Sequence, residues 1–388
     1  IEIAKNGRSV CVIDKNDFGC GCSSKNGGQI SNLLKPSLKK LTKKYGFQKA
    51  KLIRGEGVNS VEWLIDFIKN ENFDCDLKRE GRFHGAHTPF EFKKMVSESN
   101  DLKENEGIET HIIDKSDQKN EINSDLYHGG IVFPQHASLN AAKYHKDLIE
   151  KAIELGVSVI SNCEMVDFKK KLDEFSVLTN KGHLKANNLV VATNGYTSNV
   201  TPWLNKRNIP IGSYVIATEE LPINYISSLF PTNRHITDTC RVVYYFRPSP
   251  DRKRIIFGGR VSSREISLSK SAPLLLKDLK RVFPDLPELK ISHSWMGYVS
   301  YTFDHLPHTG SEDGLYYSMG YCGSGIALSS YLGMKLGKKV IGDNDGTTAF
   351  DSLKFPTRPF YNGRPWFLPA VVELYKFRDS REMIKYMN

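Results

Sequence analysis

The chain has 388 residues, 39% of them hydrophobic, and carries a formal net charge of +10. This is the composition of a globular protein with room for two domains, and no run approaches the roughly 18–20 apolar residues that span a bilayer. The lysine clusters at 39–44 and 169–171 lack the interleaved aromatic residues of a nucleic-acid platform. We therefore predict solvated lysine faces, no nucleic-acid partner and no membrane span.

The seven cysteines are scattered along the chain. Cys20 and Cys22 form a close pair, but no matching histidine or cysteine pair stands elsewhere at the spacing of a zinc site. We predict no metal centre and expect these two cysteines to be small residues in a tight loop. The cysteine usage and the absence of a span favour a cytoplasmic protein.

The first thirty residues follow the order helix, strand, acid and glycine-rich loop. Residues 1–7 have the pattern of the last turns of a helix, and residues 10–13 that of a parallel strand buried on both faces. The strand ends on Asp14, where a dinucleotide-binding fold places the carboxylate that accepts hydrogen bonds from the adenosine ribose. The loop at 19–29 allows the backbone to approach a ligand closely, although a strand followed by a simple turn has the same pattern.

The remaining elements alternate between helical and strand patterns. The sequence predicts helices at 33–44, 52–70, 90–106, 141–155 and 320–336, and strands at 82–84, 127–134, 157–160, 189–191, 213–218, 242–247, 254–260 and 315–318. Asn194 and Gly195 stand at the carboxyl end of a buried strand. Residues 320–325 form a glycine-rich helix start, which leaves backbone N–H groups without partners.

The loop at 19–29, GCGCSSKNGGQ, and the strand and acid before it resemble the FAD-dependent D-amino-acid oxidase superfamily, in particular amine oxidases similar to γ-glutamylputrescine oxidase. The turn from Asp304 to Pro307, the glycine-rich helix start and the tail at 355–369 extend the resemblance over essentially the whole chain. The glycine fingerprint of such a fold lies about 20 residues before the acid, which runs off the start of this sequence. We therefore expect the first strand and the fingerprint turn to be missing, with poor folding and weak FAD retention as the result.

The resemblance implies an α/β fold (α+β overall). It has a Rossmann-like FAD-binding domain of the GR2 type and an inserted substrate domain built on a mostly antiparallel sheet. The expected boundaries place the FAD-binding domain at 1–78, 135–205 and 293–388, and the substrate domain at 79–134 and 206–292.

The implied reaction is oxidation of the C–N bond of an amine or amino acid, by hydride transfer to flavin N5 and hydrolysis of the imine. A γ-glutamylputrescine-type or D-amino-acid-type substrate is expected, with oxygen or another acceptor restoring the flavin. Sarcosine oxidases in this superfamily attach FAD through a cysteine in the turn that corresponds to 299–302. This chain has no cysteine there, so the expected FAD is non-covalent.

The resemblance also assigns candidate site residues. Asp14 is the candidate for the ribose and Val166 for main-chain contacts to adenine. The candidates for the pyrophosphate and the flavin ring are Ser23, Ser24, Asn26, Gly27, Gly28, Gln29, Asn194, Gly195, Gly323, Ser324, Gly325 and Ile326.

Three further residues are candidates for catalysis. Arg260 either faces the ring edge, binds a substrate carboxylate or forms a surface ion pair. Tyr298 is a pocket wall or a core aromatic residue, and His308 is a base or a turn histidine.

Two other interpretations stay open from the sequence. The first is a catalytically inactive flavoprotein-like fragment that acts as a binding protein. The second is an oxidase domain that serves RNA modification, and the positive net charge is the one feature that suggests it.

Overall fold

The computed structural model describes residues 1–260, 262 and 264–387. Its α-helices are α1 (Glu2–Lys5), α2 (Leu38–Tyr45), α3 (Phe47–Asn70), α4 (Pro89–Glu106), α5 (Ala141–Glu154), α6 (Pro202–Asn205), α7 (Ile223–Leu229), α8 (Leu268–Val282), α9 (Gly325–Ile341) and α10 (Leu368–Met387). In this described part, no helix is long and apolar enough to cross a membrane.

The strands are mostly short. They are β1 (Cys11–Ile13), β2 (Gln29–Ile30), β3 (Arg82–Gly85), β4 (His111–Ile113), β5 (Gly130–Phe133), β6 (Ala137–Ser138), β7 (Ser158–Ile160), β8 (Met165–Lys171), β9 (Glu174–Thr179), β10 (Gly182–Ala186), β11 (Leu189–Val191), β12 (Ile209–Thr218), β13 (His235–Asp238), β14 (Tyr245–Pro248), β15 (Ile255–Gly259), β16 (Ile291–Tyr301), β17 (His308–Glu312) and β18 (Leu315–Met319).

Eight strands form one large sheet in the order β16-β12-β15-β14-β13-β3-β5-β4. All neighbours pair antiparallel except β13 and β3, which are parallel. The predicted α/β class with a mostly antiparallel sheet is confirmed. The sheet takes strands from both stretches predicted for the substrate domain, while β16 crosses the boundary placed at 292, and the domain division stays a prediction.

The two faces of this sheet differ because side chains alternate along each strand. Phe83, Ile236 and Phe246 point to one face and pack in a buried core with Leu275 and Leu279 of α8. Their chain neighbours point to the opposite face, which is polar and borders a cavity. The sheet therefore separates an apolar core from a polar chamber.

Two of the smaller sheets border that chamber opposite the large sheet. β1 pairs in parallel with β7, and β11 pairs in parallel with β18, which is antiparallel to β17. The prediction that residues 10–13 are buried on both faces is wrong, because Cys11 is exposed and Val12 is 39% exposed. The physical reason is that both residues border the cavity, and within the described residues β1 has no second strand partner.

A buried ion pair fixes the segment that leads into α2. The Arg54 guanidinium on α3 pairs with Glu106 at the end of α4, and both side chains are only 5% exposed. Arg54 Nη1 also donates hydrogen bonds to the carbonyl oxygens of Leu34 and Pro36, at 2.8 and 3.2 Å.

We predict that Glu106→Leu lowers the free energy of unfolding by about 3–5 kcal/mol, because it leaves the Arg54 charge buried without a counterion. Urea unfolding measures the change. Glu104→Leu is the matched control, since Glu104 is exposed on the same helix and its loss should cost within about 0.5 kcal/mol. Equal effects of the two substitutions would contradict the assigned role of the ion pair.

Candidate active site

A cavity of about 2700 Å³ lies between the polar face of the large sheet and the β1, β11 and α9 elements. Small-molecule pockets usually measure about 300–1,000 Å³. The space is therefore large enough for a dinucleotide and a substrate together.

Asp14 stands directly after β1 and borders this cavity. Its backbone N–H donates to Ile160 O at 3.1 Å, which continues the pairing of β1 with β7. Its carboxylate Oδ1 accepts the N–H of Asn16 at 2.9 Å. The acid thus lies at the carboxyl end of a parallel strand pair, where α/β folds bind their ligands.

The loop at 19–29 is held in shape by its own side chains. Asn26 Nδ2 donates to Cys22 O at 2.8 Å, and Asn26 Oδ1 accepts the N–H of Gly28 at 2.8 Å. Gly28 has φ +68°, and a Cβ there would lie 2.1 Å from Leu139 O, so only glycine fits. Ser23, Asn26, Gly27 and Gln29 border the cavity; Ser24 and Gly28 do not, and support the loop from behind.

The start of α9 faces the same cavity. The N-cap, Ser324, makes no capping hydrogen bond and instead donates through Oγ to Leu33 O at 3.0 Å. Gly323 has φ +100°, which favours glycine and turns the chain into the helix. The cavity is bordered by Gly323, Ser324, Gly325 and Ile326, so the positive end of the helix dipole is directed into it.

Asn194 ties two cavity walls together. Its Oδ1 accepts the N–H of Gly320 at 3.0 Å, and its carbonyl oxygen accepts from Asn208 Nδ2 at 2.8 Å. Asn194 borders the cavity, whereas the buried Gly195 lies behind it. A Cβ on Gly195 would lie 2.8 Å from Tyr298 Cβ, so this glycine permits close packing of the wall.

Val166 and His308 are two further predicted site residues that lie outside the cavity lining. Val166 is 50% exposed on β8, and its neighbour Met165 borders the cavity instead. His308 is buried, with Nε2 3.0 Å from Asp304 Oδ1 and its ring stacked on Phe355 at 4.1 Å. These contacts are those of a residue that stabilises the turn.

The polar face of the large sheet carries the other candidates. Arg260 Nη1 donates to Gly212 O at 2.8 Å, and Tyr298 donates its hydroxyl to Glu265 at 2.7 Å. Both residues border the cavity. Burial, followed by the adjacent Glu265, raises the pKa of the Tyr298 hydroxyl, which therefore stays protonated near neutral pH.

Sequence reasoning missed three residues on this face. Arg82, His84 and His235 border the cavity. The alternation of Arg82, Phe83 and His84 on one strand was the signal that could have identified them. Phe83 points into the core, so Arg82 and His84 must point to the opposite face of the sheet.

The cavity has the chemistry that FAD requires. A strand-end carboxylate, a helix start with uncapped N–H groups and a glycine-rich loop line one continuous space. These are the features of a protein that binds a dinucleotide at the carboxyl ends of its strands.

The chain belongs to the DAO family of FAD-dependent oxidoreductases, whose family model matches residues 1–338. It is 28% identical to the γ-glutamylputrescine oxidoreductase of Escherichia coli, over 98% of this chain and 89% of that protein. A probable oxidoreductase, OrdL, of Haemophilus influenzae is 26% identical over 98% of this chain and 88% of its own length. The fold is similar to that of glycine oxidase from Geobacillus kaustophilus, with a TM-score of 0.76, 18% identity, and coverage of 92% and 94%.

We predict that Asp14→Asn raises the FAD dissociation constant roughly 10- to 100-fold, because a neutral amide replaces charge-assisted hydrogen bonds to the ribose. Quenching of FAD fluorescence on binding measures the constant. Asp17→Asn is the matched control, since the Asp17 carboxylate accepts from Asn162 Nδ2 at 2.7 Å and does not border the cavity. An unchanged dissociation constant in Asp14→Asn would contradict the assignment.

Proposed function

We propose that the chain oxidises the C–N bond of an amine or amino acid bound between FAD and the polar face of the large sheet. The observation that carries this proposal is the shared cavity. Candidate FAD-binding residues line one side, and polar side chains of the sheet line the other.

When bound, FAD supplies at N5 the acceptor for the hydride that leaves the carbon bearing the nitrogen. Asp14 and the loop at 19–29 would hold the cofactor, and the first-turn N–H groups of α9 would stabilise negative charge near it. The large sheet shields the reacting carbon from bulk water. Water then hydrolyses the released imine, which gives a carbonyl compound and, from a primary amine, ammonia.

Non-covalent FAD is part of this proposal. The turn at 299–302 carries no cysteine. Cys22 and Cys322 border the cavity, and burial raises the pKa of each thiol to about 11. Both are protonated at neutral pH and are weak nucleophiles.

The substrate class proposed is a γ-glutamylated diamine or a D-amino acid. The similarity to γ-glutamylputrescine oxidoreductase over nearly the whole chain supports the first of these. Oxygen or another acceptor would restore the oxidised flavin, and a cytoplasmic location stays a prediction.

The test is anaerobic mixing of the FAD-loaded chain with γ-glutamylputrescine and, in parallel, with D-alanine. We expect one of them to bleach the visible flavin band and to yield the matching aldehyde or keto acid. The control is γ-glutamylputrescine acetylated on its terminal amine, which should leave the band unchanged. A chain that binds FAD but is bleached by neither amine would contradict the proposal and favour a binding protein.

A further inference from the structure

Arg82 on β3 is a half-buried cation, and none of the described residues provides it with a counterion. Its guanidinium lies 4.7 Å from the centre of the Phe133 ring, and its Nε is shielded from solvent. Its side chain makes no hydrogen bond or ion pair with any residue that the structure describes. Burial lowers the pKa of Arg82 to about 9, so the group is still cationic at neutral pH.

This arrangement is unusual for a guanidinium, which has several N–H donors and is costly to bury without acceptors. Two buried arginines of this protein have their partners within the chain. Arg247 donates to the carbonyl oxygens of Gly27 and Leu139, at 2.9 and 2.6 Å, and Arg54 pairs with Glu106. Arg82 therefore stands out as a donor group that borders the cavity and is available to a ligand.

The neighbours of Arg82 add donors but no negative charge. His235 lies opposite Arg82 in the β13–β3 register, is 3% exposed, and its Nε2 has no hydrogen-bond partner within the described residues. His84 lies two residues along β3, with Nδ1 2.8 Å from Thr237 Oγ1. Burial, and next the charge of Arg82, holds the pKa of both rings well below the usual range, so both are neutral.

The polar chamber contains a second cation, Lys35, near the start of α9. The Lys35 side chain borders the same cavity, and its Cε lies 4.0 Å from the point where a Cβ on Gly323 would be. The charge of Lys35 also acts on the ring of His84. Lys35 thus lies between the helix start assigned to the cofactor and the strand that carries Arg82.

We propose that Arg82 binds a carboxylate of the substrate, so that the enzyme selects amines that carry an acid group. A carboxylate matches the planar fork of a guanidinium, which binds both oxygens at once. Arg260, for which the sequence left a substrate carboxylate as one of three roles, already donates to Gly212 O. That the bound anion is a substrate rests on the proposed function. That Arg82 binds an anion does not.

The first test is binding to the FAD-loaded protein, measured by calorimetry with hexanoate and with hexanamide, which has a similar shape and no charge. We expect hexanoate to bind at least tenfold more tightly than hexanamide. In Arg82→Met, hexanoate should lose roughly 10- to 100-fold in affinity while hexanamide is unchanged. Equal affinity of the two probes for the wild-type protein, or an unchanged affinity for hexanoate in the variant, would overturn the proposal.

Because this first test needs no turnover, it tests anion binding by Arg82 independently of whether the proposed reaction takes place. The second test uses turnover of γ-glutamylputrescine and of 4-aminobutanoylputrescine, the same amine without its carboxylate. Arg82→Met should raise KM roughly 10- to 100-fold for the first compound only. A wild-type enzyme with equal KM values for the two compounds would contradict the selection of acidic amines.

The fold of the variant provides its own control. Replacing a half-buried cation that has no counterion among the described residues with methionine should leave the melting temperature equal to or above that of the wild-type protein. A purely structural arginine would instead give a lower melting temperature in the variant and no change in hexanoate affinity. Arg79→Met is the matched control, since Arg79 pairs with Glu62 in solvent outside the cavity lining.

Discussion

The alternation of side chains along the eight-stranded sheet is the constraint on which the rest of this structure depends. One face buries phenylalanine and isoleucine side chains against α8, so the strands are fixed in register by their apolar residues. The side chains of the residues that alternate with these apolar residues must then point to the other face. In β3 and β13 these residues are Arg82, His84 and His235, and they can lie at this depth because they border a cavity. The same packing that stabilises the sheet therefore also orients the polar chamber.

The second constraint is close contact between the sheet and the loop at 19–29. Arg247 of β14 donates from Nε to Gly27 O at 2.9 Å and from Nη2 to Leu139 O at 2.6 Å. A Cβ on Gly27 would lie 2.9 Å from the Tyr245 ring. Small residues are needed in this loop because the sheet packs directly onto its backbone. Direct hydrogen bonds thus join the sheet to the loop, and in the proposed function they would hold a substrate at a fixed distance from a bound flavin.

Local patterns predicted much of the fold. The helices predicted at 90–106 and 141–155 are observed at Pro89–Glu106 and Ala141–Glu154, and the strand–acid–loop order at the start is confirmed. Local patterns could not predict which distant segments pair. β3 lies beside β13, roughly 150 residues later in the chain, and this contact creates the chamber around Arg82. The exposure of Val12, and the positions of Val166 and His308 away from the cavity, likewise depend on tertiary packing that no local period reveals.

The central claim is that FAD and an acidic amine share the cavity, with the flavin between α9 and the large sheet. A crystal structure of the chain with FAD and hexanoate tests it most directly. The account predicts the ribose hydroxyls within hydrogen-bond distance of the Asp14 carboxylate, the flavin ring beside Gly323, and the hexanoate carboxylate on the Arg82 guanidinium. FAD bound outside this cavity, or hexanoate held by groups other than Arg82, would contradict the account.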